Sequence, residues 1–485
     1  MQKFNGPLKK IVKSFWLLVT DSNFLFALSL HSKTEMMAEL KTPQELGTDR
    51  IGKLLIRYAV PAMIAMLASS LYNIVDRAFI GHGVGSMALS GLAVTFPLMN
   101  LSAALGSMVG VGSGTMISLK LGQKDHASAQ MLLGNSVTLN VLIGVIFGAL
   151  SLIFINPILT LFGATEVTIG YAREYMVIIL AGNAFTHLYL GINCILRAAG
   201  HPNKAMIATI GTVLLNTFLD YLFIMVFHWG IKGAAIATVI SQVLAFTWQC
   251  FQLSDQSELI HLKRGTYRLR GDLVRNIITI GLSPCLMNVA ACFVVLLINR
   301  GLLKYGSDVA IGAYSIVNSI GFMIVMMVMG FNQAMQPIAG YNYGARQMDR
   351  VLKVLYLTMF FGTCVTTLGF AIAEFLPGMC IRIFTDDPEL TAIARVGMQL
   401  TFLVFPLVGS QMVIGNFFQS IGMPGKSIIM SLSRQVLLLI PFLIILPRYY
   451  GINGIWYSMP ASDFLSVILG FSLLIPQIRK LKKLS

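Results

Sequence analysis

The sequence predicts an all-α polytopic membrane protein of about twelve transmembrane helices, built as two six-helix lobes related by a pseudo-twofold axis along the membrane normal. Three observations predict it: an apolar composition, a succession of long apolar runs, and a repeat that relates the early runs to the late ones. Of the 485 residues, 56% are hydrophobic and 11% charged, against about 25% charged in an average soluble domain. The mean hydropathy is +0.76. So much apolar surface exceeds what a water-soluble core of this size buries, and lipid is its natural solvent.

Taken in order, residues 1–50 read as an N-terminal extension. Lys3, Lys9, Lys10 and Lys13 precede a moderately apolar run from Phe15 to Leu30, a layout like that of a signal peptide. Asp21, Ser22 and Asn23 interrupt this run, and it is short for a span. An interfacial or disordered extension is expected, with a true start at Met36 or Met37 as the other reading.

The first lobe is expected over 51–253, with spans at 53–80, 87–117, 127–155, 170–196, 204–227 and 231–253. A polar linker, 254–275, follows and carries Lys263, Arg264, Arg268 and Arg270. The second lobe is expected over 276–478, with spans at 276–300, 308–338, 348–375, 392–420, 425–447 and 452–477. A basic tail, 479–485, closes the chain. At ~1.5 Å per residue each run can cross a hydrocarbon core of ~30 Å.

The net charge of +15 would suggest nucleic acid in a soluble protein. Here the basic residues fall in alternate loops. One set of loops holds Lys120 and Lys124, Arg197 and Lys204, the linker cluster, Arg346, Arg350 and Lys353, Lys426, and Arg479 to Lys483; the other set holds chiefly Lys232, Lys304, Arg382 and Arg448. The positive-inside rule puts both termini in the cytoplasm of a plasma-membrane protein, and the partner implied is the bilayer, not nucleic acid. Six Cys are scattered through apolar segments without metal-type or redox-type spacing, and read as small apolar fillers.

The repeat is the strongest internal signal. Pro61 matches Pro284, and Asp76-Arg77 matches Asn299-Arg300, both at an offset of 223 residues. Gly200, Pro202 and Lys204 match Gly422, Pro424 and Lys426 at 222, and Ile231 and Gly233 match Ile452 and Gly454 at 221. An even number of spans per half gives both lobes the same orientation, with a cleft between them that suits alternating access.

Ionisable residues inside a span are expensive, at about 2.5 kcal/mol or more, and need a reason. Asp76 in span 1, Asp220 in span 5 and Asp463 in span 12 stand out. Counting residues from the span ends places Asp76, Asp220 and Thr238 at similar depth in the outer half of the first lobe. Asn216 lies one helical turn before Asp220 on the same face. Two carboxylates, an amide and a hydroxyl at one level suit a proton or sodium site. Neighbouring carboxylates cannot both ionise cheaply in low dielectric, so they share a proton readily, or their oxygens hold a hard cation. The bland reading has Asp76 paired with Arg77 at the interface and Asp220 in a packed polar network.

Leu71 to Asp76, Ile80-Gly81, Asn216 to Asp220, Gly233-Ala234-Ala235, the Pro61 position and the twice-occurring Gly-x-Pro-x-Lys turn together resemble the multidrug and toxic compound extrusion (MATE) family, over roughly residues 46–478. The resemblance implies that Asp76, Asn216, Asp220 and Thr238 form a cation site in the first lobe. Tyr72 would line the cavity beside it, and Pro61 would let span 1 bend when the site is protonated. Sodium-coupled members place carboxylates in spans 7 and 10, and this chain has none there. Asp463, the one comparable acid of the second lobe, is carried as a candidate contributor.

The function implied is secondary active efflux of amphipathic, often cationic, organic compounds in exchange for protons or sodium ions, by a monomer that needs no cofactor and holds no metal beyond Na+ at the cation site. Met323, Met326, Met327 and Met329 crowd span 8, and Met326 is a candidate for the substrate cavity. Gly106, Gly110 and Gly114 form a small-residue packing face on span 2, and His187 reads as a hydrogen-bonded packing residue. The rival is a lipid-linked saccharide flippase of the same architecture, which would line its cavity with Arg or Lys; Arg434 is the main mid-span candidate. An enzyme would need a nucleophile–base pair or a metal cluster, and the sequence offers neither.

Overall fold

The computed structural model describes residues 45–255, 258–306, 308–385 and 387–484. The extension expected over 1–50 therefore lies outside the described residues except at its end, where Glu45–Thr48 forms one helical turn with Leu46 buried.

Twelve spans follow. They are α1 (Ile51–Gly83), α2 (Ser86–Gly122), α3 (His126–Ile153), α4 (Ile169–Ala181 and Asn183–Ala198), α5 (Pro202–Val226) and α6 (Gly230–Gln252) in the first lobe. The second lobe holds α7 (Gly271–Tyr305), α8 (Asp308–Gly344), α9 (Met348–Phe375), α10 (Pro388–Phe402 and Phe405–Ser420), α11 (Pro424–Tyr450) and α12 (Ile452–Lys482). No strand occurs among the described residues. Helices are the economical answer to lipid, because each satisfies its own backbone groups.

The repeat reaches into details of the backbone. The halves of α4 meet at 58° at Gly182, and those of α10 meet at 53° around Leu403 and Val404, the same place in each lobe. At Gly182 a side chain would collide with Val239 of α6, so close packing holds this break open. Proline has the opposite outcome in α1, which runs unbroken from Ile51 to Gly83 through Pro61. The Gly-x-Pro-x-Lys turns also have a physical basis. Gly200 and Gly422 adopt positive φ (101° and 71°), where glycine is favoured, and Pro202 and Pro424 then open α5 and α11. Both of those spans contain a π-helical segment, Tyr221–Val226 in α5 and Ser433–Leu439 in α11.

The apolar cores are distributed unevenly along the membrane normal. At the end that carries the described chain ends, one core draws on both lobes, including Leu54, Leu55, Ile117 and Ile195 of the first lobe and Ile338, Leu355, Phe417 and Leu474 of the second. Here the lobes touch backbone to backbone. A side chain on Gly112 would run into the Ile277 carbonyl, on Gly281 into that of Met108, on Gly122 into that of Tyr341, and on Gly344 into that of Leu119. Gln336 adds a cross-lobe hydrogen bond to Thr115 Oγ1 at 2.8 Å. Towards the opposite end the large cores belong to single lobes. One lies within the first lobe, around Phe79, Tyr175 and Ile224; two lie within the second, around Phe402 and around Trp456. The lobes are thus joined at the chain-ends side and separate towards the other.

The linker is strapped to the first lobe. Asn135 of α3 donates to the Thr266 and Arg268 carbonyls (3.2 and 3.1 Å) and accepts from Arg270 N–H (2.8 Å), while Thr138 donates to the Tyr267 carbonyl (2.8 Å). Glu258 meets His201 at 3.0 Å and Lys204 at 3.1 Å. The His201 hydrogen bond, with the charges of His201 and Lys204, holds its carboxyl down at about 2 against an opposing burial effect.

Candidate cation site in the first lobe

Asp76 comes from α1, Asn216 and Asp220 from α5, and Thr238 from α6. The three helices bring all four side chains into one buried cluster, with exposures of 7%, 2%, 0% and 9%. Asp220 is the last residue before the π-helical segment, so α5 changes pitch at the carboxylate. The two carboxyl groups come into this cluster from α1 and α5, which pack side by side. With its amide turned to satisfy both ends, Asn216 donates to Asp220 Oδ2 (3.0 Å) and Tyr72 Oη (3.1 Å), and its oxygen accepts from Thr238 N–H (3.0 Å). Tyr72 Oη lies 3.4 Å from Thr238 Oγ1, which itself donates to the Ala234 carbonyl at 3.0 Å.

One oxygen on each carboxyl, Asp76 Oδ1 and Asp220 Oδ1, is buried without a partner. No basic side chain lies within ion-pair distance of either acid among the described residues. The neighbour Arg77 is exposed and stands 5.6 Å from the Phe96 ring instead. A buried polar oxygen without a donor is costly, and two of them side by side form a place where one positive charge is strongly favoured.

Depth counting along the sequence brings Asp76, Asn216, Asp220 and Thr238 together, and the structure places them together. It misses Tyr175 of α4, which is 1% exposed and packs in one core with Ala234 and Ala235 of α6, one turn before Thr238. A tyrosine that opens an apolar run, directly after Arg173-Glu174, is the available signal, since its hydroxyl needs a partner when buried. Tyr72 belongs to the same network through its hydroxyl. Met326 of α8 is half-buried, with Met323 and Met327 exposed beside it. Pro61 is buried in α1, on the lobe-joining side of the site.

The second lobe handles its acid differently. Asp463 of α12 accepts from Arg434 Nε of α11 at 2.6 Å, so the acid and the mid-span base identified separately in the sequence form one ion pair. His187 sits in a buried network with Ser102 (3.2 Å), Ser102 in turn donating to Asn183. The glycine face of α2 packs there and below: Gly106 on His187, Gly110 on Gly191, and Gly114 on Cys194.

Two six-span lobes of like architecture, joined at one end and parted at the other, with a buried acid pair in one lobe, define a membrane transporter. The family model MatE matches twice, over residues 61–222 and 280–445, once in each lobe. The chain therefore belongs to the MatE family, the multidrug and toxic compound extrusion transporters, and is not an enzyme. It is similar to the multidrug export protein MepA of Staphylococcus haemolyticus (26% identity over 431 residues, 87% of this chain and 94% of the relative). The MepA of Staphylococcus aureus strain NCTC 8325 matches likewise (26% over 420 residues, 86% and 92%). Among solved structures, the MATE multidrug transporter DinF-BH in complex with R6G superposes with a TM-score of 0.82 at 36% identity, over 89% of this chain and 96% of that one. An outward-facing MATE family transporter gives 0.85 at 23% identity, over 90% and 98%.

Proposed function

We propose that this protein exports amphipathic, often cationic, organic compounds across the plasma membrane in exchange for protons, with the Asp76–Asp220 pair as the coupling site. The observation that carries the reading is the pair itself: two adjacent, buried carboxylates, each with an orphan oxygen and neither with a basic partner. A shared proton removes one of two like charges from low dielectric and supplies the missing donor. A proton is preferred to sodium because a shared proton supplies the donor that Asp76 Oδ1 and Asp220 Oδ1 both lack. The names of the MepA relatives and of DinF-BH support a multidrug substrate range.

With both termini in the cytoplasm, as the charge distribution argues, the shared core seals the inner side and the parted end faces outward. This is the arrangement that takes up a proton from outside and releases drug there. Protonation would then act on α1, where Pro61 leaves one backbone hydrogen bond unmade and bending is cheap. Tyr72 and Met326 would line the substrate cavity. The chain would work as a monomer. The flippase reading loses its main basic candidate, since Arg434 is already held by Asp463.

The test is ethidium efflux from liposomes containing the purified protein, with proton and sodium gradients imposed separately. Efflux driven by the proton gradient alone supports the reading. Efflux driven only by sodium would replace the ion, and no efflux under either gradient would remove the multidrug assignment.

A further inference from the structure

The glycine–proline turn that opens the fifth span of each lobe carries a lysine, and the two lysines are treated differently. In the first lobe Glu258, supplied by the linker, lies 3.1 Å from Lys204 Nζ and 3.0 Å from His201 Nε2. In the second lobe Lys426 occupies the matching position, and no carboxylate lies within ion-pair distance of it among the described residues. Its Nζ donates to Gln477 Oε1 of α12 at 2.7 Å and lies 5.2 Å from the Phe418 ring. Gln477 is 3% exposed, and its Nε2 is a buried donor without a partner. The exposed Lys480, one turn further along α12, adds its positive charge to that of Lys426.

The unpartnered Gln477 Nε2 is a donor and Lys426 and Lys480 beside it are cations, and the first N–H groups of α11 lie in the same turn. The first lobe fills the corresponding place with an anion from its own chain. The junction sits at the ends of two spans, at the level of lipid headgroups, and exposed apolar residues flank it on the same helices: Ile429 (49%) on α11 and Ile475 (47%) on α12.

We propose that the junction between the start of α11 and the end of α12 binds the phosphate group of an anionic phospholipid in the leaflet on the chain-ends side. Lys426, Lys480 and Gln477 hold the phosphate as Lys204 and His201 hold Glu258, and Ile429 and Ile475 lie against the acyl chains. The lipid is the second lobe's substitute for the linker carboxylate.

Native mass spectrometry of the full chain, titrated with phosphatidylglycerol or with phosphatidylcholine of the same acyl chains, reads the site directly. The proposal expects selective retention of phosphatidylglycerol, weakened roughly fivefold by Lys426→Gln, the effect of one basic residue near a membrane surface. Gln477→Glu supplies a carboxylate from within and is expected to abolish the selectivity while the protein keeps its Tm. Lys204→Gln, whose lysine already holds Glu258, is expected to leave it unchanged. Equal retention of the two lipids, or selectivity that survives both Lys426→Gln and Gln477→Glu, would overturn the site. Inorganic phosphate alone raising Tm as much as phosphatidylglycerol would overturn the lipid assignment.

Discussion

The two lobes share a backbone and differ in how they treat buried charge. Both break their fourth span at the same place, both open their fifth span with the same glycine–proline turn, and both widen that span into a π-helix. In the first lobe two carboxylates are buried in one cluster, each with an unpartnered oxygen and with no basic side chain in ion-pair distance among the described residues. In the second, the one buried acid among the described residues, Asp463, is neutralised by Arg434 at 2.6 Å. At the lobe-joining end the contrast reverses: Lys204 of the first lobe is neutralised by Glu258, while Lys426 of the second has no acid within ion-pair distance among the described residues. Duplicating a scaffold therefore does not duplicate its chemistry. The fold needs the bends and close glycine contacts in both copies, whereas the proposed function asks for an acid pair without a basic partner in one lobe only and leaves the charge of the other for stability.

The comparison is broken most severely at Arg434. Arg434→Ala leaves Asp463 buried and alone, and removing one partner of a buried pair costs about 3–5 kcal/mol. A large fall in Tm is expected, recovered when Asp463→Leu is added. An unchanged Tm would mean that the pair is not structural. Next comes the seam between the lobes. Gly112→Ala puts a methyl group against the Ile277 carbonyl, and overpacking of this kind costs about 1–3 kcal/mol. Spin labels on α2 and α7 at the lobe-joining end should show a wider separation.

A smaller effect sharpens the description of the site. Tyr72→Phe removes the hydroxyl that lies 3.4 Å from Thr238 Oγ1, worth about 1 kcal/mol. It should shift the pH profile of efflux with little change in Tm, whereas a merely structural tyrosine would lower Tm and leave the profile in place. The effect at the linker depends on pH. Glu258 titrates near 2, below its ordinary 4.5, so its contribution to stability is fully present above about pH 4.5 and is lost as pH falls towards 2. Glu258→Gln should lower Tm at pH 7, and the gap to wild type should narrow on acidification through that window.

Much of this was legible in the sequence, for reasons that can be named. The spans follow from hydropathy, which lipid enforces. The approach of Asp76, Asn216, Asp220 and Thr238 follows from counting residues along helices of fixed rise. What the sequence withheld depends on long-range packing. The break at Gly182 needs Val239 of another helix, and no proline marks it, while Pro61, which does look like a breaker, sits in an unbroken helix. Tyr175 reaches the site from α4 only because that helix leans on α6. Arg434 and Asp463 were visible singly, as a candidate phosphate ligand and a candidate second acid; only their meeting across α11 and α12 shows that each accounts for the other.

The central claim is that coupling resides in the acid pair of the first lobe alone. Proton-driven ethidium efflux should be compared in liposomes for the wild type, Asp76→Asn, Asp220→Asn, and a variant with both Arg434→Met and Asp463→Leu, at matched protein content. The account predicts background efflux for either first-lobe variant and near wild-type efflux for the second-lobe double variant. Proton-driven efflux that survives Asp76→Asn and Asp220→Asn but disappears with the Arg434–Asp463 pair would contradict it.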